Sequence, residues 1–323
     1  MRIITSDDVA SVLELPDLLP VVAEAFRKQG RNEVERPPQP SMDVGIGLDG
    51  SEPMGNVLVQ PGYIHGDERF VIKLASVHEG NRERGLPTMH AHLVVADAAT
   101  GEPAAYVHGT ELTNAKTACV GGLAARELAV EPVDLAVIGA GTQARWQTRA
   151  IAETTDLRSV TVYSPSDSRE RCAADLDAEL DATVRAVDSA REAVTDASVV
   201  VTVTTATDPV FPGDALAPGT LVVAIGAYTP EMHELDARTF ELADQVFATA
   251  MANVLDVGEV IEAGLTEADM VPFADVLEGR AGRRSDDEIL VVESAGSAVL
   301  DAAAVEHLYR TAERKDVGTV VDF

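Results

Sequence analysis

The sequence predicts an α/β protein in which a doubly wound parallel sheet is inserted in an α+β domain. After Thr113, short strand-like runs alternate with helix-like runs, which is typical of a parallel sheet. Before Thr113, strand-like runs are separated by turn signals, which indicates a mostly antiparallel sheet flanked by helix. A glycine-rich turn at residues 139–144 directly follows the first apolar run of the second part.

Length and charge limit the classes of protein and partner. The chain has 323 residues, which suggests about two domains. It has 25 Lys and Arg against 54 Asp and Glu, and this net charge of −29 argues against nucleic acid and anionic membranes as partners. Residues 1–15 carry acids where a signal peptide needs an apolar run, and no apolar run approaches the length of a spanning helix. We therefore expect a cytoplasmic protein.

Lysine is scarce in this chain. Its four lysines are Lys28, Lys73, Lys116 and Lys315, and Arg supplies nearly all of the positive charge. Few lysines on a strongly acidic surface indicate a halophilic protein, since high salt screens the repulsion between acids. A chain that avoids lysine keeps it where an ammonium is needed or by chance, so Lys73 and Lys116 become candidate functional residues.

The first part of the chain begins with helix and continues as strands. Apolar spacing predicts helix across residues 7–29, with Pro16 and Pro20 as breaks or first helical turns. The prolines of 36–40 predict a stiff connector. The predicted strands, separated by turn signals such as Pro61-Gly62, are Asn56–Gln60, Phe70–Ser76, Met89–Asp97 and Ala104–His108.

The second part is predicted to alternate between strand and helix. The strands are Asp134–Ile138, Ser159–Tyr163, Val184–Ala186, Val199–Thr204, Leu221–Ile225, Gln245–Ala248 and Ile289–Glu293. The helices are Ala115–Ala129, Gln143–Glu153, Arg169–Leu180, Ser189–Ala193, Ala237–Ala243, Asn253–Gly264, Met270–Glu278 and Ala298–Arg314.

The turn after the first of these strands has the GxGxxA form of the dinucleotide-binding fingerprint. It reads Gly139-Ala140-Gly141-Thr142-Gln143-Ala144 and opens a predicted helix. Gly139 permits the tight turn, Gly141 lets the backbone approach a pyrophosphate, and Ala144 allows the helix to pack closely on the strand. The sequence therefore predicts a Rossmann-type sheet that binds a dinucleotide.

The tip of the second strand bears on the choice between NAD and NADP. An NAD enzyme usually has Asp or Glu here to bind the ribose 2′-hydroxyl. This chain has Ser164 and Ser166, with Arg169 or Arg171 nearby, and these groups suit a 2′-phosphate better than a carboxylate would. The sequence favours NADP on this ground, although Asp167 can still serve NAD.

Polar and small residues follow the fourth and fifth strands of the predicted parallel sheet. Ligands of such sheets bind at the carboxyl ends of the strands. We therefore expect the nicotinamide to be walled by Thr204, Thr205, Gly226 and Ala227. Loop geometry without any ligand would explain the presence of each single residue equally well.

Lys73 lies within an apolar strand, FVIKLASV. An unpaired buried ammonium is costly, so Lys73 must pair with a ligand anion or an acid, or snorkel from the sheet edge. His90 and His92 share a strand face but lack a third ligand, so we expect a pocket lining or packed histidines and no metal. Cys119 and Cys172 form no CxxC pattern and are expected to be buried or semi-buried thiols.

The chain resembles the ornithine cyclodeaminase/mu-crystallin family almost from end to end. That family includes archaeal alanine dehydrogenases and ketimine or pyrroline-2-carboxylate reductases. The matching stretches are Arg36-Pro37, Val71–Leu74, Gly85–Thr88, Glu111–Ala125, Val137–Ala144, Gly226–Asp236 and Glu293–Asp301. The resemblance implies a homodimer of two-domain subunits, with residues 1–115 and 300–323 as the substrate-binding and dimerisation domain and residues 116–299 as the Rossmann domain.

The resemblance also implies roles for particular residues. Arg36 and Lys73 match ligands of a substrate carboxylate, and Lys116 stands where many members have Arg. Tyr228 occupies the position of the catalytic Asp of ornithine cyclodeaminases. Either Lys73 or Tyr228 is expected to handle the proton, directly or through water, and a Tyr228 that only walls the pocket is an equal alternative. The residues expected to contact the cofactor on this basis are Thr88, Thr117, Gln143, Ala144 and Ser294.

Together these features predict an NAD(P)-dependent oxidoreductase acting on a small amino or imino acid, of the ketimine or pyrroline-2-carboxylate reductase type. Alanine dehydrogenase activity is the nearest alternative, because it needs the same parts plus ammonia. Ornithine cyclodeaminase activity is ranked third, because Tyr228 replaces the expected carboxylate. A mu-crystallin-like protein that binds cofactor with little turnover is the alternative from another class.

Overall fold

The structure, a computed structural model, describes residues 1–322, with the backbone alone at Arg82. The chain forms two compact units, which we call the split unit (Met1–Lys116 with Ala298–Phe323) and the inserted unit (Thr117–Ser297). The sequence places the boundaries at 115/116 and 299/300. The assignment of one unit to substrate and the other to cofactor stays a prediction.

The split unit is built on one mixed sheet. Its strands, numbered along the whole chain, are β1 (Arg2–Ile4), β2 (Val34–Glu35), β3 (Ser41–Val44), β4 (Gly55–Ile64), β5 (Arg69–Val77), β6 (Met89–Asp97), β7 (Pro103–His108) and β16 (Thr319–Val320). Their order is β16-β1-β7-β6-β5-β4-β2, with β3 also paired to β4. All neighbours run antiparallel except β1 and β7.

Helices cover one face of this sheet. They are α1 (Ser6–Val12), α2 (Leu15–Gly30), the start of α3 (Thr110–Leu128) and α11 (Ala298–Lys315). Along β5, Val71, Lys73 and Ala75 are buried whereas Ile72 and Leu74 are exposed, as the period of two in a strand requires. The helix α11 packs on β4 and β5 and thus meets the buried side of β5.

The inserted unit has a wholly parallel sheet. Its strands are β8 (Val133–Ile138), β9 (Leu157–Tyr163), β10 (Thr183–Ala186), β11 (Val199–Thr202), β12 (Leu221–Ala224), β13 (Gln245–Ala248), β14 (Met270–Pro272) and β15 (Leu290–Glu293). The order is β10-β9-β8-β11-β12-β15-β13-β14. The chain winds outward on both sides of β8, so the predicted Rossmann-type doubly wound sheet is confirmed.

The helices of the inserted unit connect these strands. They are α4 (Thr142–Thr154), α5 (Ser168–Asp177), α6 (Ala190–Val194), α7 (Ala237–Leu242), α8 (Met251–Val254), α9 (Gly258–Glu262) and α10 (Phe273–Leu277). The central strands β11, β12 and β15 are buried along their whole length, which is why they appear in the sequence as continuous apolar runs. Within residues 1–322, no helix combines the length and apolar character needed to cross a membrane.

Two of the predicted breaks in the split unit are wrong. Pro61 and Gly62 lie within β4, paired with Ile72 and Val71 of β5. On its other edge β4 pairs with β3 at residues 55–58 and with β2 at residues 63–64, so proline falls where that edge has no partner strand. Pro20 lies inside α2, which continues past it to Gly30.

Two helices predicted for the inserted unit are also wrong in part. The segment 253–264 forms two short helices, because Val257 is extended and the backbone amide of Gly258 donates to the carbonyl oxygen of Thr229. A Cβ at Gly258 would lie 2.5 Å from the carbonyl oxygens of Pro230 and Met232, so this close approach requires glycine at the start of α9. Residues 270–272 form the edge strand β14, paired with β13, and helix begins only at Phe273. The short strands β1, β2, β3 and β16 were not predicted.

The two cysteines are buried and are not disulfide-bonded, as predicted. Burial raises the pKa of the Cys119 thiol to about 12. Both thiols therefore behave as small apolar side chains of the inserted unit.

Candidate functional site

A cluster of three buried charges lies in the core of the split unit. The Lys73 ammonium, on β5, donates a 2.8 Å hydrogen bond to Oδ2 of Asp301, on α11. The Lys116 ammonium, on α3, lies 3.5 Å from the same oxygen. The three residues are only 2–4% exposed. Of the two alternatives left open for Lys73, pairing and snorkelling from the sheet edge, the structure shows pairing, and the partner is Asp301.

The cluster changes the acidity of its members. Burial, aided by the charge of Lys73, lowers the pKa of Lys116 to about 8, although Asp301 opposes this shift. Burial alone would raise the pKa of Asp301, but Lys116 and Lys73 together hold it below its ordinary value. Asp301 therefore stays a carboxylate at neutral pH, and Lys116, with a pKa of about 8, is still largely protonated there. Lys116 is the ammonium that gives up its proton more readily than an ordinary lysine.

Arg36 follows β2 on the connector that runs beside β4. Gln39 of this connector accepts a 2.7 Å hydrogen bond from Gln60, and Gln60 is the residue of β4 paired with Lys73. Burial lowers the pKa of the Arg36 guanidinium. The connector is therefore anchored to the strand that neighbours Lys73. Thr88, which precedes β6, accepts a hydrogen bond from the backbone of His78 through its carbonyl oxygen.

The histidines on β6 and β7 form a packed group. The His92 ring stacks on Tyr106 with centroids 5.6 Å apart, and meets the edge of His108 at 5.9 Å. Burial, then the charges of His108 and His90, lower the pKa of His92. Within the described residues, no three His, Cys, Asp or Glu side chains are arranged to hold a metal ion.

The glycine-rich turn of the inserted unit fits a pyrophosphate. Gly139 has φ +115°, and a Cβ there would lie 2.8 Å from the carbonyl oxygen of Val203, so only glycine is accommodated. Gly141 is the N-cap of α4, and a Cβ there would meet nothing within 4 Å. Ala144 is fully buried against the sheet. Open space thus lies at the amino end of a helix, where an anion is stabilised.

Side chains that were not predicted hold this turn in place. Arg145 donates to the carbonyl oxygens of Ala140 at 3.0 Å and Gly141 at 3.2 Å, and is itself paired with Asp175. Gln147 donates to the carbonyl oxygen of Thr117 at 2.9 Å and to Oε1 of Gln143 at 3.3 Å. Thr142 is exposed at the start of α4. These contacts place Thr117, Thr142 and Gln143 around the turn.

The tip of β9 is formed by serines and one arginine. Ser164 is buried, whereas Ser166 is exposed, and the hydroxyls of Ser166 and Ser168 lie 2.7 Å apart. Arg169 donates to the carbonyl oxygen of Ser164 at 3.1 Å and to Asp188 at 2.9 Å. Asp167 caps α5 without a side-chain hydrogen bond to it. The tip of β9 thus carries hydroxyl groups and one cation, which is already paired with Asp188 and Glu170.

The ends of β11, β12 and β15 carry the remaining candidates. Thr204 and the exposed Thr205 follow β11, while Gly226 and the buried Ala227 follow β12. Ser294 follows β15 and donates from its backbone to Ala224 at 3.0 Å. Adjacent parallel strands bring these residues to one edge of the sheet.

Comparison with known proteins decides the family. The model of the ornithine cyclodeaminase/mu-crystallin family matches residues 2–316. The chain belongs to this family. The resemblance inferred from the sequence motifs is therefore confirmed over nearly the whole chain.

Individual relatives cover the chain completely or almost so. Delta(1)-pyrroline-2-carboxylate reductase of Bacillus cereus (strain ZK / E33L) is 26% identical over 332 residues, with 100% of both chains covered. The structure of the Thermococcus litoralis enzyme of that name, in complex with NADH and L-proline, is 27% identical with a TM-score of 0.93, covering 99% of this chain and 100% of that one. An archaeal alanine dehydrogenase dimer with bound NAD is 27% identical with a TM-score of 0.92, covering 100% of this chain and 99% of that one.

Two residues at which the sequence is expected to depart from its resemblance can be placed in this ornithine cyclodeaminase/mu-crystallin family member. Lys116 points a single ammonium at Asp301 and cannot form the two-pronged bond of a guanidinium. Tyr228 is 44% exposed beyond the end of β12. The split unit thus contains a cationic cluster, and position 228 carries a phenol rather than a carboxylate.

Proposed function

We propose that this protein is an NAD(P)-dependent reductase of a small cyclic imino acid, of the pyrroline-2-carboxylate or ketimine type. The observation that carries the proposal is the buried Lys73–Asp301–Lys116 cluster, in a chain similar over its whole length to pyrroline-2-carboxylate reductases. A buried pair of ammonium groups with one carboxylate retains a positive charge, which favours an anionic substrate.

The residues of the split unit bind and orient the substrate. Lys73 and Arg36 hold its carboxylate, and Lys116 adds a third cation on the same side of the sheet. Asp301 fixes the ammonium of Lys73, so the clamp is ordered before the substrate arrives. A clamp of this kind holds the imino acid in one orientation.

The residues of the inserted unit hold the dinucleotide. Backbone amides at residues 139–142 face the pyrophosphate, and the residues after β11, β12 and β15 wall the nicotinamide. When bound, the reduced nicotinamide supplies the hydride that the imine carbon accepts. Thr117, Gln143 and Ser294 complete the contacts that we assign to the inserted unit.

A proton must reach the imine nitrogen during reduction. Lys73, Lys116 and Tyr228 are the candidate donors. Burial lowers the pKa of Lys116 to about 8, which brings it close to the pH at which a proton donor works best. We therefore assign the proton to Lys116, with Lys73 as the electrostatic anchor of the substrate.

We further propose that the enzyme prefers NADP, forms a homodimer and works in a salt-rich cytoplasm. Ser164, Ser166 and Arg169 support NADP over NAD. Exposed Ile72, Val94 and Tyr106 are direct neighbours across three strands, and this apolar face supports a homodimer. The acidic composition supports a cytoplasmic protein adapted to high salt.

Alanine dehydrogenase activity is the second candidate function. The similarity to the archaeal alanine dehydrogenase favours it, and the same cationic clamp suits pyruvate. Ornithine cyclodeamination is disfavoured because Tyr228 supplies no carboxylate. A cofactor-binding protein without turnover has no use for the buried cluster.

A substrate panel tests the proposal. Oxidation of NADH and NADPH is followed in high salt with pyrroline-2-carboxylate, with piperideine-2-carboxylate, and with pyruvate plus ammonia. Proline formation from ornithine is followed in parallel. We expect the cyclic imines to be reduced fastest, with NADPH preferred. Faster turnover of pyruvate plus ammonia would establish alanine dehydrogenase instead, and proline formation would show that another group replaces the missing carboxylate.

A further inference from the structure

Three buried glutamates lie together beneath the strand ends of the inserted unit. Glu234 is 0% exposed, Glu259 on α9 is 1% exposed and Glu293 at the end of β15 is 2% exposed. Burying a carboxyl group costs free energy unless hydrogen bonds or a proton satisfy it. None of the three was singled out from the sequence.

Glu234 joins the ends of two neighbouring strands. Its carboxylate accepts hydrogen bonds from the backbone of Thr204 at 2.6 Å, from the backbone of Gly226 at 2.7 Å, and from the Thr202 hydroxyl at 2.9 Å. A Cβ at Gly226 would collide with the backbone of Thr204, so the two segments are already in contact. Burial raises the pKa of Glu234, and these hydrogen bonds from Thr204, Thr202 and Gly226 oppose that shift because they stabilise the carboxylate.

Glu259 in turn holds the backbone of Glu234. Its Oε2 accepts hydrogen bonds from the backbone amides of Glu234 and Leu235. Its other oxygen, Oε1, is buried, as is Oε1 of Glu293, and neither receives a bond from another protein donor. Each of the two carboxyl groups acts on the acidity of the other, and a proton shared between them would satisfy both of these buried groups. A bond between two carboxyl groups requires a proton on one of them.

The surroundings favour retention of this proton. Burial raises the pKa of Glu293 well above its ordinary value, and the charges of Glu259 and Glu234 raise it further. Burial, with the charge of Glu234, also raises the pKa of Glu259 to about 7. The nearby His233 is paired with the exposed Glu262 at 3.4 Å. The charges acting on Glu293 are therefore those of the other two carboxyl groups.

We propose that Glu259 and Glu293 share a proton and, through Glu234, position the two strand ends that wall the nicotinamide. The chain of contacts runs from Glu293 to Glu259, then to the backbone of Glu234, and from its carboxylate to Thr204 and Gly226. Loss of the shared proton places two like charges side by side in the core and weakens this series of contacts. The inference rests on the proposed function, since it needs Thr204 and Gly226 to contact the cofactor.

The substitution Glu293→Gln tests the shared proton directly. A glutamine amide donates to Glu259 as a protonated carboxyl does, but it does not titrate. Wild-type affinity for NADH or NADPH, measured without substrate, should fall about tenfold between about pH 7 and 10 as the pair loses its proton. The Glu293→Gln variant should lose less than the wild type over the same range. Glu262→Gln, an exposed glutamate of the same α9 helix, should behave as the wild type.

Two further measurements keep the test decisive. Glu293→Leu removes the donor and should weaken cofactor binding throughout this pH range, whereas Glu293→Gln should restore it. In the cofactor-free protein, the infrared carbonyl band of a protonated carboxyl group should be present at neutral pH and weaken in Glu293→Gln, but not in Glu262→Gln.

The outcomes separate this inference from the proposed function. Identical pH profiles for wild type and Glu293→Gln, or an infrared band that the substitution leaves unchanged, would overturn the inference. A wild type that binds neither cofactor at any pH would overturn the proposed function and the positioning role with it. The infrared band would still decide whether the proton is shared.

Discussion

The ammonium of Lys73 and the carboxylate of Asp301 form a 2.8 Å hydrogen bond between residues that are 228 positions apart in the chain. Both groups are almost completely buried. Together with Lys116 they leave one net positive charge in the core of the split unit. In our account this charge, already oriented by Asp301, binds the substrate carboxylate.

Removal of Asp301 should be among the most damaging single substitutions in the chain. Asp301→Asn leaves two buried ammonium groups without their counter-ion, and breaking a buried pair in this way costs about 3–5 kcal/mol. The free energy of unfolding, measured by urea denaturation, should fall by that amount, and the KM of the imine should rise.

A surface pair provides the control for this substitution. Asp214 pairs with Arg191 at 2.8 Å, but both side chains are more than half exposed. Asp214→Asn should therefore change the free energy of unfolding by less than about 1 kcal/mol. Equal losses of unfolding free energy in the two variants would mean that the buried cluster stabilises the fold no more than an exposed ion pair does.

Sequence reasoning found one member of this pair and missed the other. Lys73 stood out because an ammonium in an apolar strand needs a partner. Asp301 offered the same signal, as one acid in an otherwise apolar turn of a helix, but it was not singled out. Only the packing of α11 on β5 brings the two together. The same holds for Glu259 and Glu293, which lie on separate elements.

The sequence predicts the fold more completely than it predicts the site. Buried parallel strands are continuous apolar runs, so β8, β11, β12 and β15 were recognisable from composition alone. The edge strand β14 was not, because three residues cannot display a period. Pro61 and Gly62 were misread because local turn signals do not reveal that β5 continues alongside them.

The role of Lys116 predicts a pH profile. A protonated Lys116 is required to donate, so the rate of imine reduction should fall as pH rises through about 8. Lys116→Arg keeps the charge but does not release its proton in this range. This variant should lose the fall above pH 8 and have kcat lower by about 100-fold, with a little-changed KM.

Lys116→Met separates charge from proton donation. It removes the cation, so kcat should fall and KM should rise, whereas KM should change little in the arginine variant. A wild-type profile that is flat across pH 8, or an arginine variant that retains the wild-type kcat, would remove Lys116 from the proton-transfer step.

The glycine turn offers a substitution that separates binding from folding. A Cβ at Gly141 meets no protein atom within 4 Å, so Gly141→Ala should leave the unfolding free energy nearly unchanged. The methyl group would nevertheless occupy the space assigned to the pyrophosphate, so affinity for NADH and NADPH should fall about tenfold or more. Gly80→Ala, also in open space, is the matched control. Unchanged cofactor affinity in Gly141→Ala would contradict the assignment of the turn.

The exposed apolar face of the split unit predicts how the subunits associate. Val94 lies between Ile72 and Tyr106 on adjacent strands, and all three are about 40% exposed. Val94→Glu should convert a homodimer into a monomer in sedimentation equilibrium, because a buried unpaired charge opposes association. Ile261→Glu, at an exposed site of the inserted unit, should leave the dimer intact. A dimer that persists in Val94→Glu would place the interface elsewhere.

The most direct test of the central claim compares turnover with cofactor binding in Lys73→Ala. Reduction of pyrroline-2-carboxylate and the Kd of NADPH and NADH are measured for this variant, for the wild type and for the control Lys315→Ala, which removes an exposed lysine. We predict that Lys73→Ala loses at least about 100-fold in kcat/KM while its cofactor Kd stays within about threefold of the wild type. Wild-type turnover in Lys73→Ala, or no turnover of any imine by the wild type despite tight cofactor binding, would contradict the account.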